Sequence, residues 1–453
     1  MLNKAAKPLV KLVDRYLPDP YIFVLLLTLV VLIAAVVSEN KTPLEVINYW
    51  GDGFWTLLSF SMQMLLVLVA GFMLASSPPI KKLLDAIAGL AKSAPQAIIL
   101  VTLVSLAASW INWGFGLVVG ALFAKALARK VKVDYRLLVA SAYSGFVVWH
   151  GGLAGSIPLT IATAGHFAES QIGIIPTSET IFASFNLLLV AVLFVVMPLV
   201  NRFMLPDEKD SVYVDSSVLD DKGGETVSSV LEVNRAGESP SQHKRAMRPA
   251  DILENSRLLG WSVGGAGLVY LGYYFWVQGG SLNLNVVNFL FLFLAIVLHQ
   301  TPRSLLTSLN EAIKGGAGIV IQFPFYAGIM AVMVQSGLAQ SISQGFVAIA
   351  SAESLPFWSF ISAGIVNIFV PSGGGQWAVQ APIMLPAAQA LGADVARVAM
   401  AVAWGDAWTN LIQPFWALPV LAIAGLKARD IMGFCLMQLM ITGVIISIAL
   451  SWF

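Results

Sequence analysis

Trp110-Ile111-Asn112-Trp113-Gly114-Phe115-Gly116 and Val370-Pro371-Ser372-Gly373-Gly374-Gly375-Gln376 decide how this chain folds. Each interrupts a long apolar run, 96–128 in the first case and 355–391 in the second. As one helix the first run would be about 50 Å long, against a bilayer core of about 30 Å. Each arm alone, of roughly 14 residues, falls short of a span. Both runs therefore read as re-entrant helical hairpins with tips near mid-membrane. Irregular backbone is tolerated at that depth only where it is buried in protein or lines a wet cavity. The alternative is a kinked, tilted span with tolerated Gly and Pro.

The rest of the chain agrees with a membrane setting. Its 453 residues are 58% hydrophobic and only 11% charged, too little polar surface for a soluble protein of this length. Full spans are expected near 20–38, 54–77, 136–165, 180–202, 257–277, 284–299, 315–336, 395–425 and 431–452. Lys4, Lys7, Lys11 and Arg15 precede an apolar run from Tyr21 to Val37. That run is too long for a signal-peptide core and reads as the first span. The lone Cys435 excludes a disulfide framework, and no basic patch points to nucleic acid.

With the N-terminus in the cytoplasm, Lys81, Lys82, Arg129, Lys130, Lys132, Arg136, Arg202, Arg303, Lys314, Lys427 and Arg429 fall inside. Glu39, Asp52, Glu169, Glu179, Glu353 and Asp394 fall outside. This is the positive-inside bias, and it holds only if 96–128 and 355–391 each return to the side they came from.

The two halves match at a nearly constant offset of 260: Asn112 with Ser372, Asp134 with Asp394, Gly145 with Gly405, His150 with Asn410, Gly165 with Gly425. The expectation is an all-α integral membrane protein of two inverted repeats, each with a re-entrant hairpin and a broken transmembrane helix. Residues 1–202 form the first repeat (hairpin 96–128, broken span 136–165). A polar cytoplasmic linker, 203–256, and a connecting span, 257–277, separate it from the second, 278–453 (hairpin 355–391, broken span 395–425).

The chemistry is expected at the tips and breaks. A hairpin tip exposes the N-terminus of the returning half-helix, whose free N–H groups and positive dipole end favour an anion. Trp113, Gly114 and Gly116, and Gly373, Gly374 and Gly375, line these tips, where glycine lets a ligand approach the backbone. Asn112, Asn367, Ser372 and Gln376 can add hydrogen bonds. Ser156, Thr409, Asn410 and Gln413 cluster at the broken spans.

Two ionisable residues stand deep in the spans, His150 and Asp406. Burying a charge in lipid costs at least ~2.5 kcal/mol, which makes both candidates for ion coupling. Asp406 can carry a proton or ligate sodium; His150 can pair with a carboxylate, relay a proton, or be a satisfied buried histidine. Trp110, Trp113, Trp149, Trp377, Trp404, Trp408 and Trp416 crowd the same regions. With no Arg or Lys deep in a span, they suit a small solute with an apolar body and at most one charge. No His-Glu-x-x-His, paired intramembrane aspartates or Ser/His dyad suggests an enzyme.

Ser109 to Gly116, Val370 to Trp377 and the start Val13-Asp14-Arg15-Tyr16-Leu17-Pro18-Asp19-Pro20 resemble the bacterial short-chain fatty acid transporters (AtoE type) over essentially the whole chain. The resemblance implies uptake of short-chain monocarboxylates such as acetoacetate or butyrate across a bacterial inner membrane. The coupling ion would be H+ or Na+, with possible Na+ near Asn112, Ser372 and Asn410. It also implies a place near the ion transporter superfamily, whose members use paired hairpins and an elevator motion and often form homodimers. Those members carry Ser-Asn-Thr tips, where this chain has Ser-Trp-Ile-Asn and Pro-Ser-Gly-Gly-Gly. A carrier or exchanger of another small organic anion or amino acid is the alternative.

Overall fold

Pro43, Pro78 and Pro302 each open a helix just after a connection, where a missing N–H costs nothing. Starts of this kind divide the chain into helices joined by short turns. The computed structural model describes residues 20–214, Leu219 and 248–452. Most of the polar linker expected over 203–256 lies outside these residues, as does the stretch before Pro20.

The first half runs α1 (Pro20–Ser38), α2 (Pro43–Gly53), α3 (Leu58–Ser76), α4 (Pro78–Ala88), α5 (Ala94–Ile111), α6 (Trp113–Lys130), α7 (Tyr135–Ser144), α8 (Ser156–Ile161) and α9 (Ser184–Phe203). A connecting helix α10 (Arg257–Trp276) follows. The second half runs α11 (Leu284–His299), α12 (Pro302–Ala312), α13 (Ala317–Ser336), α14 (Leu338–Ile349), α15 (Leu355–Asn367), α16 (Gly373–Leu391), α17 (Val395–Asn410), α18 (Pro414–Ala424) and α19 (Ala428–Trp452).

Helices of equal rank in the two halves start at matching distances: Pro43 and Pro302, Ala94 and Leu355, Trp113 and Gly373, Tyr135 and Val395. Their caps match too. Thr42 and Thr301 accept from the third residue of α2 and α12, and Asn112 and Ser372 do the same for α6 and α16. Asp134 and Asp394 cap α7 and α17.

Packing between halves is reciprocal. α3 lies against α11 and α12, and α13 lies against α1 and α2. Likewise α18 packs on α6, and α8 packs on α16.

Among the described residues, seven stretches are long and apolar enough to cross a membrane: 21–38, 58–76, 94–111, 135–161, 184–203, 302–336 and 428–451. The stretch 135–161 is 94% buried, against 22% for 21–38, so it is shielded from lipid by its neighbours. Neither it nor 395–425 is a continuous α-helix. The first passes through a 3-10 turn, Gly145–Gly151, and the second stops at Asn410 and restarts at Pro414.

α5 and α6 lie side by side in opposite directions. A side chain on Gly116 would strike Ser109, and one on Gly120 would strike Ser105. α15 and α16 pair similarly through Gln376 with Ala363 and Gln380 with Ser362. Three of these four helices are longer than the roughly 14 residues the sequence suggested, and α15 is not. α5 and α6 have 18 residues each, about 27 Å, because helix persists to within one residue of the break; α15 and α16 have 13 and 19.

Candidate functional site: a cavity between two helix starts

Asn112 is the sole residue between α5 and α6. Its extended backbone turns the chain, and its Oδ1 accepts from Phe115 N at 2.9 Å while its N–H still bonds Ala108 O. Across the molecule Ser372 does the same work for α16, with its Oγ accepting from Gly375 N at 3.3 Å. Each cap satisfies one donor and leaves the N–H groups of the first two helical residues without an intrahelical acceptor. Those residues are Trp113 and Gly114 on α6, and Gly373 and Gly374 on α16.

All four line one cavity of about 580 Å³. Its walls come from both halves: Met64, Leu68 and Phe72 of α3, Ile319, Gln322 and Phe323 of α13, Trp149, Ser156, Ser372, and Trp416 and Pro419 of α18. The surface is chiefly apolar. Trp113, Trp149 and Trp416 gather on one side with ring centroids 5.5–6.1 Å apart. At one end stand Glu311 and Lys314, about half or more exposed and paired at 2.7 and 2.8 Å.

Behind the start of α16 sits His150, fully buried in the 3-10 turn and stacked on Trp149 at 3.5 Å. Its Nδ1 lies 2.7 Å from the Ala403 carbonyl of α17, so that nitrogen carries a proton and donates. Among the described residues its Nε2 has no partner, and it faces Gly373, where a side chain would collide with it. Asp406 Oδ1 is 3.8 Å from Nδ1; among the described residues neither oxygen of this buried carboxylate has a close donor, and the Asn410 side chain is the polar group nearest to supplying one.

The expected site residues thus separate into two groups. Trp113, Gly114, Ser156, Ser372, Gly373 and Gly374 line the cavity. The others lie behind it. Gly116 packs on Ser109, and Gly375 on the Tyr326 ring. Gln376 donates to Ala363 O and Gln380, and Asn367 to Asp406 O and Thr409 Oγ1. Asn410 accepts from Trp149 Nε1 at 2.9 Å, and Gln413 donates to Asn367 O.

The α3 and α13 walls were not anticipated from sequence, because both helices read as plain apolar spans. Gln63 and Gln322, one in each at matching positions, were the available signal. Lys125, near the end of α6, is a buried cation that the sequence reading passed over; it does not line the cavity.

The short chain fatty acid transporter family matches residues 1–453. This chain belongs to that family. It is 43% identical over 454 residues to an Escherichia coli (strain K12) protein described as a candidate short-chain fatty acid transporter, covering 100% of both chains. A Haemophilus influenzae protein with the same description is 43% identical over 461 residues, covering 99% of each. Among solved structures, the YdaH transporter of Alcanivorax borkumensis superposes with a TM-score of 0.55 over 95% of this chain and 98% of that one, at 17% identity. That likeness establishes an all-helical membrane-protein fold. The chain is a multi-pass bacterial membrane transporter, not an enzyme.

Proposed function

We propose that this transporter moves short-chain monocarboxylates such as butyrate or acetoacetate, coupled to H+ or Na+, by alternating access. The observation that carries the proposal is one cavity bounded by two capped helix starts. The free N–H groups of Gly373 and Gly374, with the Ser372 hydroxyl, suit a single carboxylate. The indoles of Trp113, Trp149 and Trp416 suit a short alkyl chain, where each buried CH₂ adds about 0.8 kcal/mol. Wall side chains Met64, Leu68, Phe72 and Ile319 are apolar, and Lys314 at one end is already paired with Glu311.

The reading takes α5–α6 and α15–α16 as re-entrant hairpins in inverted repeats, 1–202 and 278–453. Three observations support it. Helices of equal rank start at matching offsets, inter-half packing is reciprocal, and both turns are buried in protein: Asn112 and Gly373 to Gly375 have almost no exposed surface. Lys92, Arg129 and Lys130 sit at the ends of α5 and α6 away from Asn112, as one cytoplasmic side requires. With the N-terminus inside, the cavity opens past Lys314 to the cytoplasm. Inner-membrane residence, an elevator-like stroke and a homodimer complete the proposal.

The test is uptake of labelled butyrate into proteoliposomes with imposed Na+ or pH gradients, and counterflow against unlabelled butyrate. Saturable uptake with counterflow is expected. Flux without saturation or counterflow would indicate a channel. Better competition by dicarboxylates or amino acids than by butyrate would indicate a different carrier.

A further inference from the structure

Gln322 is the polar side chain that α13 brings to the cavity, beside Gly318, Ile319 and Phe323. It is 6% exposed, and its Oε1 accepts from Tyr326 Oη at 3.1 Å, one turn along the helix. Tyr326 is fully buried, and its O–H has no other acceptor among the described residues. Turning the amide over would strand that proton, so Oε1 stays on the phenol and Nε2 is the end left over. Nε2 has no hydrogen-bond partner among the described residues and is open to the cavity.

The first half supplies a comparison. Gln63 holds the equivalent position on α3, but its Nε2 donates to Asn285 Oδ1 at 2.7 Å, and it does not line the cavity. There the amide joins two helices. On α13 the same residue keeps a donor that the protein does not use. An amide needed only to hold Tyr326 would use its oxygen alone.

This donor also stands near the start of α16. The point where a Cβ on Gly375 would lie is 2.5 Å from the edge of the Tyr326 ring and 3.2 Å from Ser372 Oγ. Gln322 is thus one phenol ring and one hydrogen bond from the turn that brings Gly373 and Gly374 to the cavity. A carboxylate held by that turn takes up its N–H groups, which leaves Gln322 Nε2 for a second oxygen of the same small molecule. We propose that Gln322 is a specificity-determining residue, donating through Nε2 to a carbonyl or hydroxyl oxygen on the substrate's chain. The carrier then takes oxo- and hydroxy-substituted short-chain acids in preference to plain alkyl ones. The inference rests on the monocarboxylate reading and narrows it. Water serves Nε2 when the chain lacks an oxygen, so the preference is worth one net hydrogen bond, roughly three- to tenfold.

The experiment is labelled-butyrate counterflow in proteoliposomes, with unlabelled acetoacetate and unlabelled butyrate as competitors. In the wild type, acetoacetate should compete at a concentration roughly three- to tenfold lower than butyrate does. In Gln322→Met, which keeps the length and removes the donor, the ratio should fall to about one. That change strands the Tyr326 proton, so a second variant, Gln322→Met with Tyr326→Phe, removes both members of the bond and should give the same ratio. Each ratio is taken within one preparation, so a lower yield of folded protein leaves it unmoved. Equal competition in the wild type, or a preference retained in both variants, overturns the role of Gln322 and leaves monocarboxylate transport standing. Absence of counterflow with either acid in the wild type defeats the transport reading, and this inference with it.

Discussion

Gly373 has no room for a side chain. A Cβ there would run into His150 Nε2 and come within 2.7 Å of the Trp149 ring, so the first turn of α16 can lie on the imidazole only as glycine. Overpacking of this kind costs about 1–3 kcal/mol. Gly373→Ala is expected to fold, judged by size-exclusion profile, and to lose most butyrate uptake; wild-type rates would show that the contact is incidental. Asp406 calls for a different experiment. A buried carboxylate with no close donor among the described residues is costly as a bare charge and is relieved by a proton or a cation, and amidation removes the charge change that coupling needs. Asp406→Asn should abolish gradient-driven accumulation and spare counterflow. Accumulation equal to wild type would make the residue structural.

The caps of α6 and α16 give matching expectations at the scale of elements. Removing a cap costs about 0.5–2 kcal/mol, too little to unfold a helix packed on several others. Ser372→Ala should therefore express normally and raise the half-saturation concentration for butyrate severalfold, since it frays the turn whose N–H groups face the cavity. Unchanged kinetics would exclude that turn from binding. Gln380→Ala is the control, because Gln380 bonds Gln376 and Ser362 and does not line the cavity. Outside the spans, α2 begins with a reciprocal box in which Glu45 bonds the Thr42 hydroxyl and N–H at 2.7 and 2.8 Å. These bonds hold the Glu45 carboxyl below its ordinary value. Its folded pKa is depressed, so the contribution is complete above the ordinary glutamate value of about 4.3 and fades as pH falls through the lower folded value. Amide exchange at the start of α2 should quicken over that acid range, and Glu45→Gln should remove the dependence.

For the whole molecule, reciprocal packing predicts access from one side at a time. Leu68 and Ile319 line the cavity, whereas Cys435, the sole cysteine, is fully buried. Leu68→Cys and Ile319→Cys should react with an impermeant thiol reagent added from the cytoplasmic face, and butyrate should slow the reaction. The wild type is the inert background. Labelling only from the opposite face would reverse the assigned orientation.

The apolar runs, the glycine and proline breaks and the 260-residue offset lie along the chain itself. They were enough to read a helical membrane protein with equivalent positions at Asn112 and Ser372, because helix length and capping are local. Arm length was misjudged, since α5 continues through Trp110 and Ile111 where the sequence suggested an earlier stop. Depth behind a tip was not legible at all. Gly374 and Gly375 are neighbours in sequence, yet Gly374 lines the cavity and Gly375 faces Tyr326, a difference set by helix rotation against α13. The α3 wall, and the bonds of Asn367 to Asp406 O and Thr409 and of Gln413 to Asn367 O, arise from contacts between distant segments. Only tertiary packing decides which polar atoms find partners and which stay free for a ligand.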